Sequence, residues 1–388
     1  MKMGCKPLAV TVNKLCLLFF LGSLIWTGCA AGIVGDLPDR CPVTLNTYGH
    51  WRGGNVTTQW SPDAESILFS FASLNHPSRW YIASPETGII TPLEAYIRHL
   101  QVDNQPQWAR WLPTDNAVIF GDGEATYSLN LLTDEVARLV EVESGLWSPD
   151  GQQIVFLKGQ NWREWRWHIM SADGTGERLL TDRSDILIEG WHPSEPKILL
   201  ILSGDRENHP DNIGILDVNG GHITQLTDTE YCEFQPRWSP DGRQIAFTAW
   251  DRNRDIYVMD ADGDNVVNLT NTTPQHEIDF SWSPDGRQIV YTRYHATGIR
   301  AFSQEIYVMN TDGSEQRPLT DTPDEHEFGP VWSPDGKQIA FWSTAQVGEG
   351  PGSHQWTLNV MNADGSNRRV LATFGPTTLE SDDSYPSP

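Results

Sequence analysis

Cysteine is scarce in this chain: five in 388 residues, at positions 5, 16, 29, 41 and 232, with no CxxC pair and no Cys/His metal-ligand spacing. That excludes a disulfide framework and a structural zinc site, and no cofactor or metal is implied. Positive charge is short as well, with 27 Lys plus Arg against 51 Asp plus Glu and a net charge of −24. Nucleic acid and anionic membrane surfaces would repel such a chain, so neither is an expected partner. No apolar run reaches the ~20 residues that a membrane-spanning helix needs. There is no GxSxG nucleophile elbow and no HExxH helix signature, so neither a self-contained serine peptidase nor a zincin is indicated.

What the chain has in abundance is tryptophan, 17 residues, seven of them in a repeat. WSPDG recurs at Trp147, Trp238, Trp282 and Trp332, with WSPDA at Trp60, and degenerate copies begin at Trp111 and Trp191. Successive tryptophans are 51, 36, 44, 47, 44 and 50 residues apart. Seven residues after each stands a β-branched apolar residue: Ile67, Val118, Ile154, Ile198, Ile245, Ile289 and Ile339. A period near 45 with strand-like content predicts an all-β fold, a β-propeller of four-stranded antiparallel blades, with seven as the expected number and six or eight as alternatives. Locally, Trp ends a strand, Pro presets the first corner of a turn, Asp bonds its own backbone, and Gly takes the left-handed position. A second strand follows, then a third closed by DADG, NTDG or NADG. A fourth ends at Leu180, Leu226, Leu269, Leu319 or Leu371.

The ends read differently. Lys2, Lys6 and Lys14 precede the mostly apolar stretch Leu15 to Trp26, the pattern of an export signal. Trp26-Thr27-Gly28-Cys29 resembles a lipobox, with Cys29 as the lipidated residue. Cleavage after Ala30 or Ala31 is the alternative. The expected division is a signal peptide over 1–28, a linker over 29–54, the propeller over 55–373 and a disordered tail over 374–388. Removing the three leader lysines takes the net charge from −24 to about −27. After export a Cys41–Cys232 bridge is chemically possible, but two unpaired thiols are the favoured expectation.

Taken together, WSPDG, IAF, IYVMDADG and LT resemble the TolB-like, WD-repeat-like propeller family over Trp60 to about Leu371. Related propellers occur in tricorn and in prolyl-oligopeptidase-type enzymes. The resemblance implies a rigid scaffold and leaves function open among binding module, substrate gate and enzyme. The alternation of strands says which end to inspect. SPDG and DADG turns are stereotyped and share one end, whereas the connections at the other end vary in length and chemistry. Those variable connections include Asn161 to Trp167, Trp250 to Arg254, and Arg293 and Tyr294 running on to Phe302. Trp250, Arg254, Arg293 and Tyr294 are therefore the candidate ligand-binding residues. Glu233, Glu277 and Glu327 each stand five residues before a repeat tryptophan, the last two preceded by His276 and His326. They are expected around one channel mouth, to bind a cation, a basic group or a metal, or else to lock neighbouring blades together. Asp260, Asp262 and Asp264 read as a plain turn and not as a calcium loop.

The leading expectation is a monomeric, non-enzymatic, lipid-anchored binding module of the bacterial envelope, with protein or glycan as ligand and the membrane met only through the lipid. The alternatives are a carbohydrate-active enzyme resembling oligogalacturonate lyases, with His276, His326, Glu277 and Glu327 as candidates, and a gating partner of a separate peptidase.

Overall fold

The seven repeat tryptophans each end the first strand of a four-stranded unit, and each is paired across the hairpin with the β-branched residue seven positions on. The computed structural model describes residues 54–375 apart from 74–77, 98–104, 141, 143–144, 160–163, 204–210, 252, 297–301, 323 and 348–353. The leader, Cys29, Cys41, the C-terminal tail, Asn161, Trp162, Arg163 and Arg252 lie outside the described residues.

The turns form as their residues dictate. In the WSPDG copies the Ser hydroxyl donates to the Asp two residues on, at 2.6–2.7 Å, and that Asp accepts a backbone N–H two residues further. The glycine then sits at φ near +70°, as at Gly242 (φ +72°) and Gly286 (φ +68°), a conformation that a Cβ disfavours. In the fourth unit the sequence reads His192-Pro193-Ser194, and His192 Nδ1 replaces the aspartate by accepting the N–H groups of Ser194 and Glu195 at 3.1 and 2.9 Å.

Units one to five form separate antiparallel sheets with strands in chain order. Units six and seven share one eight-stranded sheet, joined by a single parallel bridge between Gln304 and His326. The described residues thus contain six separate sheets where seven were expected. The physical reason is length: the nine-residue strand Phe302–Asn310 and the eight-residue strand Glu325–Trp332 extend far enough to touch. The fourth strands are shorter than expected, only two residues at Val267–Asn268 and Arg317–Pro318, with Leu269 and Leu319 just beyond them. A five-residue helix, Leu93–Ile97, follows the first sheet.

First strands of neighbouring units contact one another at the junctions of units one and two, four and five, six and seven, and seven and one, so they line the axis of the ring, and the fourth strands lie outside. The core lies between sheets, in clusters built from adjacent units. A polar relay joins the same units: the indole N–H of one repeat tryptophan donates to the carbonyl just before the preceding unit's tryptophan. Trp111 reaches Gln59 (3.2 Å), Trp191 reaches Leu146 (3.1 Å) and Trp282 reaches Arg237 (3.4 Å). Trp60 reaches Val331 at 3.1 Å, which carries the relay from unit one to unit seven and closes the ring. That closure is made by side chains. Phe71 stacks on Phe374 at 4.2 Å, Trp342 donates to the Thr58 hydroxyl at 2.7 Å, and among the described residues no strand crosses between the two sheets.

Cys232, at the start of the first strand of unit five, is disulfide-bonded, which corrects the expectation of a free thiol there. Its partner lies outside the described residues. A persistent disulfide is the chemistry of an oxidising compartment.

Candidate functional site at the connection end

Trp250 ends the second strand of unit five and Arg254 opens its third, so the two are paired across the connection. His276 and Glu277 open the first strand of unit six opposite Tyr294 and Arg293. The fold therefore brings these six candidates to one end and one junction. His276 stacks against the Trp250 indole at 5.5 Å and meets the Tyr294 ring edge-on at 6.2 Å. The backbone N–H of Arg254 donates to His276 Nδ1 at 3.1 Å, which leaves Nε2 to carry the proton. Burial first, and the Arg254 charge second, hold His276 below its usual pKa. The ring is thus neutral at pH 7. Trp250 is 38% exposed, the open face of this aromatic patch.

The two arginines are placed otherwise. Arg254 is buried, bonded through Nε to the Thr248 hydroxyl at 3.0 Å and lying over Phe234 at 5.0 Å. Arg293 is buried over Tyr307 at 4.4 Å and bonds Glu277 at 2.9 Å and Gln316 at 2.6 Å. Both shape the patch from beneath.

The three glutamates are fully buried between units and are held by threonines that sequence reasoning missed. Glu233 and Glu327 are held by a pair each, and Glu277 by Thr272 alone, because Thr270 donates to Asp255 instead. Thr227, Thr270 and Thr320 follow the leucine of the fourth strand, and each accepts the N–H of a third-strand isoleucine at 2.8–3.0 Å. Two residues on, Thr229 donates to Glu233 at 3.1 Å, Thr272 to Glu277 at 2.6 Å, and Thr322 to Glu327. The repeated spacing Leu-Thr-x-Thr ahead of the glutamate was the available signal. Arg368 completes the third copy, 2.7 Å from Glu327 and also paired with Glu325. Burial pushes Glu233 and Glu277 up to about 7. Glu327 rises to about 8, from burial and from Glu305, with which it shares the Thr320 hydroxyl at 3.1 and 2.9 Å. His326 stands beside Glu327, shifted down by burial. Among the described residues no group of three or more His, Cys, Asp and Glu is placed to hold a metal.

A second missed feature is a bulge in the first strands. Register shifts fall at Gln235, Asp279 and Gly329, each three residues before its tryptophan, with φ of +52°, +47° and +63°. Two of these are non-glycine residues in the left-handed region, a costly conformation that bulges use to re-aim side chains. Asp279 is buried beside Arg254, and burial lifts it to about 6.

The TolB beta propeller domain model matches residues 160–378. The chain belongs to the TolB β-propeller domain family. It is 35% identical over 152 residues to the Tol-Pal system protein TolB of Roseobacter denitrificans, covering 36% of this chain and 32% of that protein. It is 28% identical over 130 residues to the uncharacterized peptidase YuxL of Bacillus subtilis, covering 30% of this chain and 19% of that protein. The chain therefore spans a third or less of these two relatives. In fold it is similar to the β-propeller domain of the Trilobed protease from Pyrococcus furiosus, described as having an open velcro topology. The TM-score is 0.58 at 11% identity, over 82% of this chain and 98% of that one.

Proposed function

We infer that this chain is an extracytoplasmic propeller that binds a protein partner in the bacterial cell envelope, without chemistry of its own. The aromatic patch of Trp250, His276 and Tyr294 carries the reading. It sits on the variable end of a scaffold braced beneath by Arg254, Arg293 and the threonine–glutamate latches. An exposed indole flanked by half-buried aromatic rings on a rigid base is what binding hot spots are made of. The match to TolB of the Tol-Pal system supports an envelope assembly role. Counted by repeat, with the eight-stranded sheet taken as two halves, the ring has seven blades. It is a monomer, tethered by lipid on Cys29. A peptide and glycan binding screen of the purified propeller, with and without divalent metal, tests this. Metal-independent peptide binding agrees with it, and metal-dependent oligosaccharide cleavage would replace it with a lyase function.

A second reading, a propeller that gates a peptidase on another chain, is favoured by the match to YuxL. It predicts that the purified propeller changes a peptidase's size selectivity while showing no stable partner.

A further inference from the structure

The axis of the ring holds a charge arrangement that neither the patch nor the latches use. Arg110 and Arg237 occupy the same register, immediately before the repeat tryptophans Trp111 and Trp238, on the first strands of units two and five. First strands line the axis, and these two units stand three apart around the ring, so their arginines face each other across it. The Arg237 charge is felt at Arg110, whose guanidinium is depressed by burial first and by Arg237 second. Arg237 is oriented by Glu189 of unit four, Nη1 to Oε2 at 2.6 Å, yet 41% of its side chain stays exposed. Glu189 is buried and shifted upward by that burial. Arg110 is half-buried and, among the described residues, makes no hydrogen bond or ion pair.

In a protein of net charge −24, with carboxylates in large excess, a half-buried arginine facing a second arginine is an uncompensated cation. Such a charge opposes folding, because desolvation is uncompensated and the like charge repels it. The observation calls for an anion from outside the chain. Guanidinium forks match the paired oxygens of a carboxylate bidentately. The chain's large excess of carboxylates would repel highly charged polyanions and leaves a single carboxylate as the fitting anion.

We propose that Arg110 and Arg237 form an axial site for one carboxylate of a peptide, either an acidic side chain or a C-terminal carboxylate. The site stands apart from the aromatic patch, so it can fail without the protein-binding reading failing. Arg237 is the half preset by Glu189, and Arg110 is the half that the ligand completes. No covalent step is involved.

The test is calorimetric titration of the full propeller with three short peptides. Acetyl-Gly-Glu-Gly-amide carries only a side-chain carboxylate, acetyl-Gly-Gly-Gly only a terminal one, and acetyl-Gly-Gln-Gly-amide neither. Binding of one or both carboxylate peptides, at least about ten-fold tighter than the glutamine control, supports the site, and the pair tells which source it takes. Arg110→Met should abolish that preference while leaving Tm unchanged or raised, because it removes a half-buried unpaired charge. Arg110→Lys should keep the charge and lose most of the preference, because the fork is gone. Equal binding of all three peptides, or a preference that survives in Arg110→Met, overturns the proposal. A fall in the Tm of ligand-free Arg110→Met overturns it too, since it would show the arginine to be structurally satisfied.

Discussion

At the scale of single residues, the repeat tryptophans fill the gaps between units, and the indole N–H groups of four of them, Trp60, Trp111, Trp191 and Trp282, tie one inner strand to the next. Trp282 is buried, packs in the same cluster as Phe280, Ile289 and Tyr291, and donates to the Arg237 carbonyl. Trp282→Ala should cost about 3–5 kcal/mol, the range for a large aromatic lost from a core. Urea denaturation checks this, and a loss below about 1 kcal/mol would mean that the cluster is not a core. The buried glutamates make a prediction of opposite character. Glu233 and Glu277 at about 7 and Glu327 at about 8 lie above the ordinary carboxyl value, so the folded chain holds protons that the unfolded chain releases. Their contribution is fully present below the unfolded carboxyl pKa of about 4.5 and is lost as pH rises through 7 to 8. The turn aspartates act the other way. Asp335, drawn down to about 2 by Lys337 and the Ser333 hydroxyl, contributes stability above pH about 4 that is lost as pH falls through 2. The urea midpoint should therefore be higher at pH 5 than at pH 8, and Glu277→Gln should flatten that difference. A midpoint that rises toward pH 8 contradicts the assignment.

At the scale of elements, the third turn of a unit docks on the unit before it. A Cβ on Gly313 would lie 2.8 Å from the Leu269 carbonyl oxygen, and one on Gly263 equally close to that of Leu226. Gly313 also holds φ +81°. Gly313→Ala therefore meets both backbone strain and a backbone clash, and should destabilise by about 2–3 kcal/mol. Gly88 has a similar φ of +71° with nothing within 4 Å, so Gly88→Ala should lose only about 1 kcal/mol. Thermal unfolding of the pair separates the two causes. Equal losses would mean that the inter-unit contact is not made. These elements also show what could be read from the chain. Strand ends, turn chemistry and the Trp-to-Ile pairing were legible because each is a local rule repeated in phase. The junction of Phe302–Asn310 with Glu325–Trp332 was not, because strand over-extension depends on neighbours that no local pattern encodes. The site was legible in part. Trp250, His276 and Tyr294 do converge, since alternation fixes which end they share. The burial of Arg254 and Arg293 was hidden, because the partners that hold them, Gln235 and Glu277, come from first strands and no local pattern encodes those pairings.

At the scale of the molecule, one end is short, repeated and chemically uniform, and the other gathers the chain's individuality. The ring closes by face packing of unit one on unit seven, with Trp60 and Trp342 as the polar ties. A scaffold closed in this way holds the patch in one geometry, so that a ligand spends little on ordering it. The measurement that tests this most directly compares partner affinity across two sets of folded variants. Trp250→Ala and Tyr294→Ala alter the patch; Ser283→Ala and Asp285→Asn alter an SPDG turn. The account predicts that the patch variants bind about 1–3 kcal/mol more weakly with unchanged Tm. The turn variants should lower Tm and bind as tightly as the parent. Turn variants that lose binding while folded, beside patch variants that keep it, would place the function at the opposite end and contradict the account.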